Sequence, residues 1–348
     1  MLRGYNYKYI NGNYLVTSRG QDLCKTAFRI GENLVANFPD SIDLKISNKC
    51  SRGCVFCHEN SVKTGKILNI QKTIEKLSQL PSLPIEIAIG GGNILECVPE
   101  SNEIVDWLIS RGHRVRCTIK YEDLLTLTEE QRSLLKKFEG IGISIDKLDK
   151  NLKAALEDSR ATSFLYETHE VGMGRLFTCL LNGWDIVKVD PIELHGSKTA
   201  KFVTHIIAGV FPIKDLKNFL EKTNIPVLIL GYKQWGRAIN SKLPETLDEF
   251  ESIVKQYIYG TWRQRKDQQN GEPIVFDNLS LEQLRIKDAL VDEEWESLYM
   301  GDEGMYSMYI DAVEGQYARD SRSPKRISWD EIGLIDYFKS LRNDSGNN

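Results

Sequence analysis

Three cysteines, Cys50, Cys54 and Cys57, are the residues whose spacing points most directly to chemistry in this sequence of 348 residues. They form a CxxxCxxC pattern in ISNKCSRGCVFC, directly after a stretch typical of a β-strand. Thiolates bind soft metals, and a cubic iron–sulfur cluster usually takes one thiolate for each iron. Three thiolates would leave one iron of a 4Fe-4S cluster open to a small molecule.

Two other metal chemistries are compatible with the same residues. The segment Cys54 to His58 also has the CxxCH pattern of covalent haem attachment, although no export signal accompanies it. A structural zinc held by the three cysteines and by His58 or another ligand is the second alternative, although such sites usually pair two separated ligand knuckles. A zinc site would favour a binding module without turnover. The other cysteines are scattered singly, as is typical of small buried side chains, so no auxiliary cluster is expected.

The cysteine motif, with Phe56 before the last cysteine, resembles that of the radical S-adenosylmethionine (SAM) superfamily. The resemblance implies a 4Fe-4S cluster on the three cysteines, with S-adenosyl-L-methionine bound to its open iron. It further implies reductive cleavage of SAM to methionine and a 5′-deoxyadenosyl radical, which abstracts hydrogen from a substrate. An external electron donor of the flavodoxin or ferredoxin type would supply the electron.

The resemblance extends to the segments that would bind SAM. Gly90, Gly91 and Gly92 take the place of the family's GGE-type motif, and Asn93 stands where an acidic residue is usual. The same comparison implies SAM contacts at the ends of later strands, from Ser144, Asp146, Ile207 and Gly209. We therefore expect the cofactor-binding residues to be these eight and Phe56.

Short apolar stretches alternate with amphipathic ones from about residue 41 onward, which predicts βα units. Strands are predicted at 41–47, 85–90, 113–119, 140–146, 202–209 and 226–231. This alternation favours a parallel sheet, and the resemblance implies a partial (β/α)6 TIM-like barrel. The predicted organisation is an N-terminal β element (1–38), a core barrel (39–240) with an insertion or lid (151–200), and a C-terminal α/β extension (241–348).

Two local signals predict details of these segments. Asn11-Gly12 predicts a hairpin in the N-terminal element, and Glu314-Gly315 predicts one in the C-terminal extension. The pairs Thr128 with Gln131 and Ser328 with Glu331 have the spacing of helix capping boxes.

Charge and hydropathy narrow the classes of partner. The formal net charge of −4 gives no broad attraction to nucleic acid, and no segment approaches the length of a membrane span. We expect a cytoplasmic enzyme that acts on a peptide or protein, the substrate class frequent in the superfamily. The alternative within the superfamily is a small nucleotide, as in viperin-like members.

Overall fold

The computed structural model describes residues 7–19, 22–29, 33–157, 173–182, 201–223, 225–243, 246–262, 274–299 and 301–343. The strands, in chain order, are β1 (Tyr7–Asn11), β2 (Tyr14–Arg19), β3 (Asp22–Ala27), β4 (Ser41–Ser47), β5 (Glu86–Gly91), β6 (Arg114–Lys120), β7 (Gly140–Ser144), β8 (Lys201–Ile207), β9 (Val227–Leu230), β10 (Ile274–Phe276), β11 (Ser307–Asp311), β12 (Gln316–Ala318) and β13 (Ile327–Ser328). The α-helices are α1 (Ile70–Leu77), α2 (Val98–Ser110), α3 (Tyr121–Leu124), α4 (Glu129–Leu135), α5 (Lys150–Leu156), α6 (Met173–Asn182), α7 (Ile213–Lys222), α8 (Leu247–Tyr257), α9 (Asn278–Gln283), α10 (Asp292–Leu298) and α11 (Leu334–Asn343).

The chain divides into two compact units. The first contains residues 1–51, 61–115 and 301–348, and the second contains residues 52–60 and 116–300. The boundaries between the units therefore fall inside the cysteine loop, inside β6 and just before Gly301.

The first unit is built around β4, which lies between β5 and β11 and pairs with both in parallel. Ile42, Leu44 and Ile46 alternate along β4 and are buried, because successive side chains of a strand point to opposite faces. On the other face, the buried Lys45 ammonium lies 3.0 Å from the Asp311 carboxylate. Asp311 also forms an ion pair with Arg326, at 3.5 Å. This second ion pair helps to compensate the free-energy cost of burying the Asp311 charge.

The N-terminal sheet, ordered β1-β2-β3, is antiparallel and is tied to the rest of the first unit through Asp40. The buried Asp40 carboxylate accepts hydrogen bonds from Asn11 Nδ2 at 2.8 Å and from Tyr14 Oη at 2.7 Å. The ammonium of Lys25 is 2.8 Å from the same carboxylate. Burial and the nearby Asp40 charge raise the pKa of Tyr14, so its hydroxyl stays protonated and continues to donate.

The second unit contains five parallel strands in the order β10-β9-β8-β7-β6. One face of these strands is apolar and buried, with Ile143, Ile206 and Ile229 among its residues. The other face carries polar side chains in the middle strands, at Lys120, Ser144 and His205, which the parallel register places side by side.

The positions of the six predicted strands are confirmed, and β4 has the predicted bounds. The N-terminal hairpin is present, with Gly12 and Asn13 between paired Asn11 and Tyr14. The C-terminal hairpin is formed by β11 and β12. Thr128 and Gln131 form the predicted capping box at the start of α4.

The capping box predicted at Ser328 and Glu331 is wrong. Ser328 lies in β13 and pairs with Gln316 of β12, so its backbone belongs to the sheet. Helix α11 begins six residues later, at Leu334, and its first amide donates to the side chain of Gln79 at 2.8 Å. A side chain distant in sequence supplies the cap, which local spacing cannot reveal.

The predicted insertion, residues 151–200, contains most of α5 and all of α6, and its other parts, 158–172 and 183–200, lie outside the described residues. Among the helices that the structure describes, none has the length and apolar character that crossing a membrane requires.

Replacing Asp40 with Ala should destabilise the protein by about 3–5 kcal/mol, because the change removes the carboxylate shared by Lys25 and three hydrogen-bond donors. Urea denaturation of the apo-protein measures this loss. The matched control, Glu75→Ala, removes a carboxylate that is exposed in α1 and should change the free energy of unfolding by less than about 0.5 kcal/mol. Equal stabilities of the two variants would contradict this role of Asp40.

Candidate functional site

The cysteine loop begins in the first unit, where its base is closed by backbone hydrogen bonds. Cys50 N donates to Val62 O at 2.9 Å, Val62 N donates to Asn48 O at 2.9 Å, and Asn48 N donates to Lys66 O at 2.8 Å. These bonds satisfy the polar backbone on both sides of the loop. Residues 50 and 62 are thereby held together while the loop between them carries the remaining cysteines.

The glycine run lies beside the segment that leads into Cys50. Gly92 N donates to Ser47 O at 2.6 Å, and Asn93 N donates to Lys49 O at 2.8 Å. A Cβ atom on Gly92 would lie 2.2 Å from Lys49 O, so this approach requires glycine. The site predictions at the glycines and at Cys50 are therefore brought together within the first unit.

Gly90 and Asn93, the first and last residues of the glycine segment 90–93, differ in what they can still bind. The space beside Gly90 is open, since an added Cβ would meet no atom within 4 Å. The Asn93 side chain accepts a hydrogen bond from Leu95 N at 3.1 Å and so caps the short 3-10 helix Ile94–Glu96. Asn93 therefore has a local structural function, while an amino group could approach the open side of Gly90.

Glu96 is a contact of the cysteine loop that the sequence motif did not predict. Its carboxylate accepts hydrogen bonds from Ser51 N at 2.9 Å and from Ser51 Oγ at 2.7 Å, one residue after Cys50. The resemblance places an acidic residue at position 93, directly after the glycines, and the acidic residue of this chain lies three positions later. The Glu96 carboxylate binds Ser51 of the cysteine loop.

The second part of the loop, residues 52–60, belongs to the second unit and forms a turn that contains two cysteines. Cys57 N donates to Cys54 O at 3.2 Å, an i to i+3 bond that brings the two Cα atoms within about 7 Å. Arg237 Nε donates to Cys54 O at 3.0 Å, and Arg237 N donates to Cys57 O at 3.1 Å. One residue from the segment after β9 thus holds the carbonyl groups of both cysteines.

Gly236 makes this contact possible. A Cβ at Gly236 would lie 2.5 Å from His58 O, and the residue has a φ of +58°, in the left-handed region that favours glycine. The side chain of Arg52, at the start of the same segment, forms an ion pair with the buried Asp123 carboxylate. The turn is therefore held at both of its ends.

The aromatic ring of Phe56 packs into the second unit, whereas its neighbour Val55 is exposed. Phe56 and Ile207 both pack against an apolar cluster of Val210, Tyr232 and Ala238. This packing brings together two residues that the motif assigned to cofactor binding. Gly209, also predicted, lies two residues after Ile207 in the turn that follows β8, with a φ of +75°.

Lys120 connects Phe56 to the ends of two strands. Its ammonium lies 5.0 Å from the centre of the Phe56 ring and forms an ion pair with Asp146. Ser144, at the end of β7, pairs in register with Lys120. The predicted residues Phe56, Ser144 and Asp146 are thus arranged around a lysine that the sequence could not place.

His205 lies on the same face of the strands. Its Nδ1 is 3.4 Å from Thr118 Oγ1, and its ring covers Gly142, where an added Cβ would lie 2.3 Å from Cε1. Burial lowers the pKa of His205 to about 4, because a charged imidazole would lose its hydration. The side chain is therefore neutral near pH 7 and offers a hydrogen-bonding group without charge.

The three cysteines of the motif have the donor chemistry of a soft-metal site. All three are free of disulfide bonds and are partly exposed. Within the described ranges, however, no three or more histidine, cysteine or acidic side chains are grouped so that they could hold a metal ion. The donor set fits an iron–sulfur cluster in type and number, and the assignment of Cys50, Cys54 and Cys57 as ligands rests on their spacing.

Replacing Arg237 with Ala should loosen the turn that carries Cys54 and Cys57. The change removes a charged donor from Cys54 O, the same carbonyl that accepts the Cys57 amide, so exchange of that amide should become roughly ten-fold faster. Hydrogen–deuterium exchange of the apo-protein measures the rate. The control Asn240→Ala, an exposed position of the same segment, should leave it unchanged, and equal rates in both variants would refute the contact.

Replacing His205 with Gln should make stability less dependent on pH. The pKa of His205 is lowered to about 4 in the folded protein, so the unfolded state binds more protons between about pH 6.5 and 4, and stability falls with pH in that window. The native protein should lose about 2 kcal/mol from this group between pH 7 and 5, and the variant should not. Urea denaturation at both pH values measures the difference. The pKa of buried His113 is also lowered, and this residue contributes equally to the pH dependence of both proteins. The same dependence of stability on pH in the native protein and the variant would contradict the prediction.

Comparisons with known proteins show similarity in fold. No protein-family model matches the chain. No curated protein sequence matches it. The structure of SuiB from Streptococcus suis bound to the precursor peptide SuiA aligns with a TM-score of 0.53 and 13% identity, over 87% of this chain and 65% of that one.

A second structure, SuiB bound to S-adenosylmethionine, aligns with a TM-score of 0.53 and 14% identity, over 87% of this chain and 66% of that one. The chain thus spans slightly less than two thirds of the length of these proteins. This chain is therefore similar in fold to the aligned part of SuiB, a protein whose structures include a SAM complex and a peptide complex.

Proposed function

We propose that this protein is a radical SAM enzyme that binds a 4Fe-4S cluster through Cys50, Cys54 and Cys57. The observation that carries the proposal is the CxxxCxxC loop after the first strand of a parallel α/β sheet, in a chain with the fold of a SAM-binding protein. When bound, the cluster and SAM together would supply a 5′-deoxyadenosyl radical that abstracts hydrogen from the substrate. The strands from β4 to β9 would form the partial (β/α)6 barrel of that superfamily.

The residues of the chain would bind and orient these groups. The amino group of SAM is a donor, and the carbonyl groups of the glycine segment are suitable acceptors because Gly92 N and Asn93 N are already bonded to other carbonyls. Gly90, with open space beside it, is the best placed of the three glycines. The Asp146 carboxylate, held by Lys120, would accept from cofactor hydroxyl groups, and Ser144 would assist it.

Apolar residues would exclude water from the cofactor. Phe56 and Ile207 share one apolar cluster, so a planar base bound beside them would be shielded from solvent. Gly209 would contribute backbone groups at the turn after β8. His205, neutral and close to Thr118, would present a hydrogen-bonding group on the same strand face as Lys120 and Ser144.

The substrate class we propose is a peptide or protein. The two SuiB structures support it, since one of them contains a precursor peptide and the fold is shared over most of this chain. The nearly balanced charge of the chain is consistent with a substrate other than nucleic acid. The electron would come from an external carrier of the flavodoxin or ferredoxin type.

Anaerobic purification should yield a brown protein with absorption near 400 nm and about four irons and four sulfides per chain. With dithionite and SAM it should form 5′-deoxyadenosine. Cys54→Ala should abolish the cluster absorption and 5′-deoxyadenosine formation, because one iron loses its ligand. Cys24→Ala, which removes an exposed cysteine outside the motif, should retain both. Stoichiometric zinc without iron or sulfide would refute the enzyme and favour a zinc-stabilised binding module.

A further inference from the structure

Glu96 lies in a short helix whose backbone is fixed at several points. In the 3-10 helix Ile94–Glu96, Glu96 N donates to Asn93 O at 3.0 Å, and Asn93 Oδ1 accepts from Leu95 N at 3.1 Å. The side chains of Ile94 and Leu95 are 1% and 5% exposed, so they anchor this helix in the core. Glu96 itself is partly exposed, and its carboxylate is therefore presented to the cysteine loop from a fixed backbone.

The contact with Glu96 completes the attachment of the chain around Cys50. Lys49 O accepts a hydrogen bond from the glycine segment, and Cys50 N donates to Val62 O at 2.9 Å. Ser51 N donates to Glu96 Oε1 at 2.9 Å, and Ser51 Oγ donates to the same oxygen at 2.7 Å. Three consecutive residues are thus bonded to other segments, and the side chain of Glu96 supplies the last of these attachments.

The geometry of the 3-10 helix accounts for the position of this acid. Such a helix has three residues per turn, so a side chain three positions later returns to about the same side. Asn93 caps the helix and donates its amide to Lys49 O, and Glu96 follows three positions later and binds Ser51. The acid that the resemblance places at position 93 is therefore displaced by one turn and still faces the cysteine loop.

We propose that Glu96 is a positioning residue that keeps the reduction potential of the cluster low. The inference rests on the proposed function, in which Cys50 is a ligand of the cluster that reduces SAM. A reduced cluster carries one more negative charge than an oxidised one, so a carboxylate beside a ligand disfavours reduction. A cluster of lower potential is a stronger reductant, which the cleavage of a sulfonium requires.

The hydrogen bond from Ser51 N acts in the same direction as the charge. Backbone N–H groups that donate to the sulfur atoms of a cluster make the cluster easier to reduce. The amide of Ser51, next to Cys50, donates instead to the Glu96 carboxylate. Glu96 thus adds one negative charge and engages one donor, and substitutions can separate these two effects.

The test is an anaerobic redox titration of the iron-loaded protein without SAM, followed by the visible absorption of the cluster. Glu96→Gln keeps an acceptor oxygen for Ser51 and removes the charge. At the native midpoint potential, its ratio of reduced to oxidised cluster should be about five-fold higher than in the native protein, because solvent screens part of the charge. Glu96→Ala removes charge and acceptor, so the ratio should rise roughly ten-fold, which corresponds to about 59 mV for one electron.

The matched control is Glu103→Gln. It makes the same chemical change at an exposed position of α2, seven residues after Glu96, and should retain the native midpoint potential. Glu96→Asp retains the charge and should have a midpoint closer to the native value than Glu96→Gln has. The midpoint is a property of the loaded molecules, so a lower iron content in a variant does not prevent its measurement.

A second measurement requires no cluster. Glu96→Ala removes the acceptor of Ser51 N, so hydrogen–deuterium exchange of this amide in the apo-protein should become roughly five-fold faster. Exchange in Glu103→Gln should equal that of the native protein. Equal exchange in Glu96→Ala and the native protein would show that the contact is absent and would overturn the inference.

Native midpoint potentials in both Glu96→Gln and Glu96→Ala would also overturn the inference, as would an equal shift in Glu103→Gln. Native iron content and SAM cleavage in the same proteins would leave the proposed function intact. Complete loss of the cluster from Glu96→Gln but not from Glu96→Asp would support the positioning role, because the carboxylate would then be needed to hold the loop. Absence of iron from the native protein would instead refute the proposed function, and the inference with it.

Discussion

The hydrogen-bonding requirement of a short irregular loop is the constraint on which the candidate site depends. A loop that presents three thiol groups cannot pair its own backbone as a helix or strand does, so other segments must bond to it. In the first unit, residues 62–66 and the glycine segment bond to residues 47–50. In the second unit, Arg237 bonds to the carbonyl groups of Cys54 and Cys57. The loop that carries the cysteines is thus held by hydrogen bonds to its backbone from both units.

The residues around the turn of Cys54 and Cys57 form an apolar environment and a charged environment next to each other. Phe56 and Ile207 pack against the same apolar cluster, and Lys120, which forms an ion pair with Asp146, lies next to the Phe56 ring. A ligand that combines a planar base with hydroxyl and amino groups needs both environments within a small distance. The arrangement in the second unit therefore suits a nucleoside-containing cofactor, which agrees with SAM as the proposed ligand.

The two faces of the strands in the second unit have different tasks. Ile143, Ile206 and Ile229 make one face a stable core, and mutating them would affect folding more than chemistry. The opposite face places Lys120, Ser144 and His205 side by side, and desolvation lowers the pKa of His205, so that its side chain is neutral near pH 7.

The local pattern of residues determined the strands, the hairpins and the cysteine motif, because each depends on neighbours only a few positions apart. It also placed Gly90 to Gly92 at the end of a strand, where they are found. Tertiary structure alone decided that Glu96 binds Ser51, that Arg237 holds the turn, that Lys120 joins Phe56 to Asp146 and that Gln79 caps α11. These contacts join residues that are 26 to 255 positions apart in the chain. Their partners are chosen by packing of the folded chain, and no periodicity or spacing records that choice.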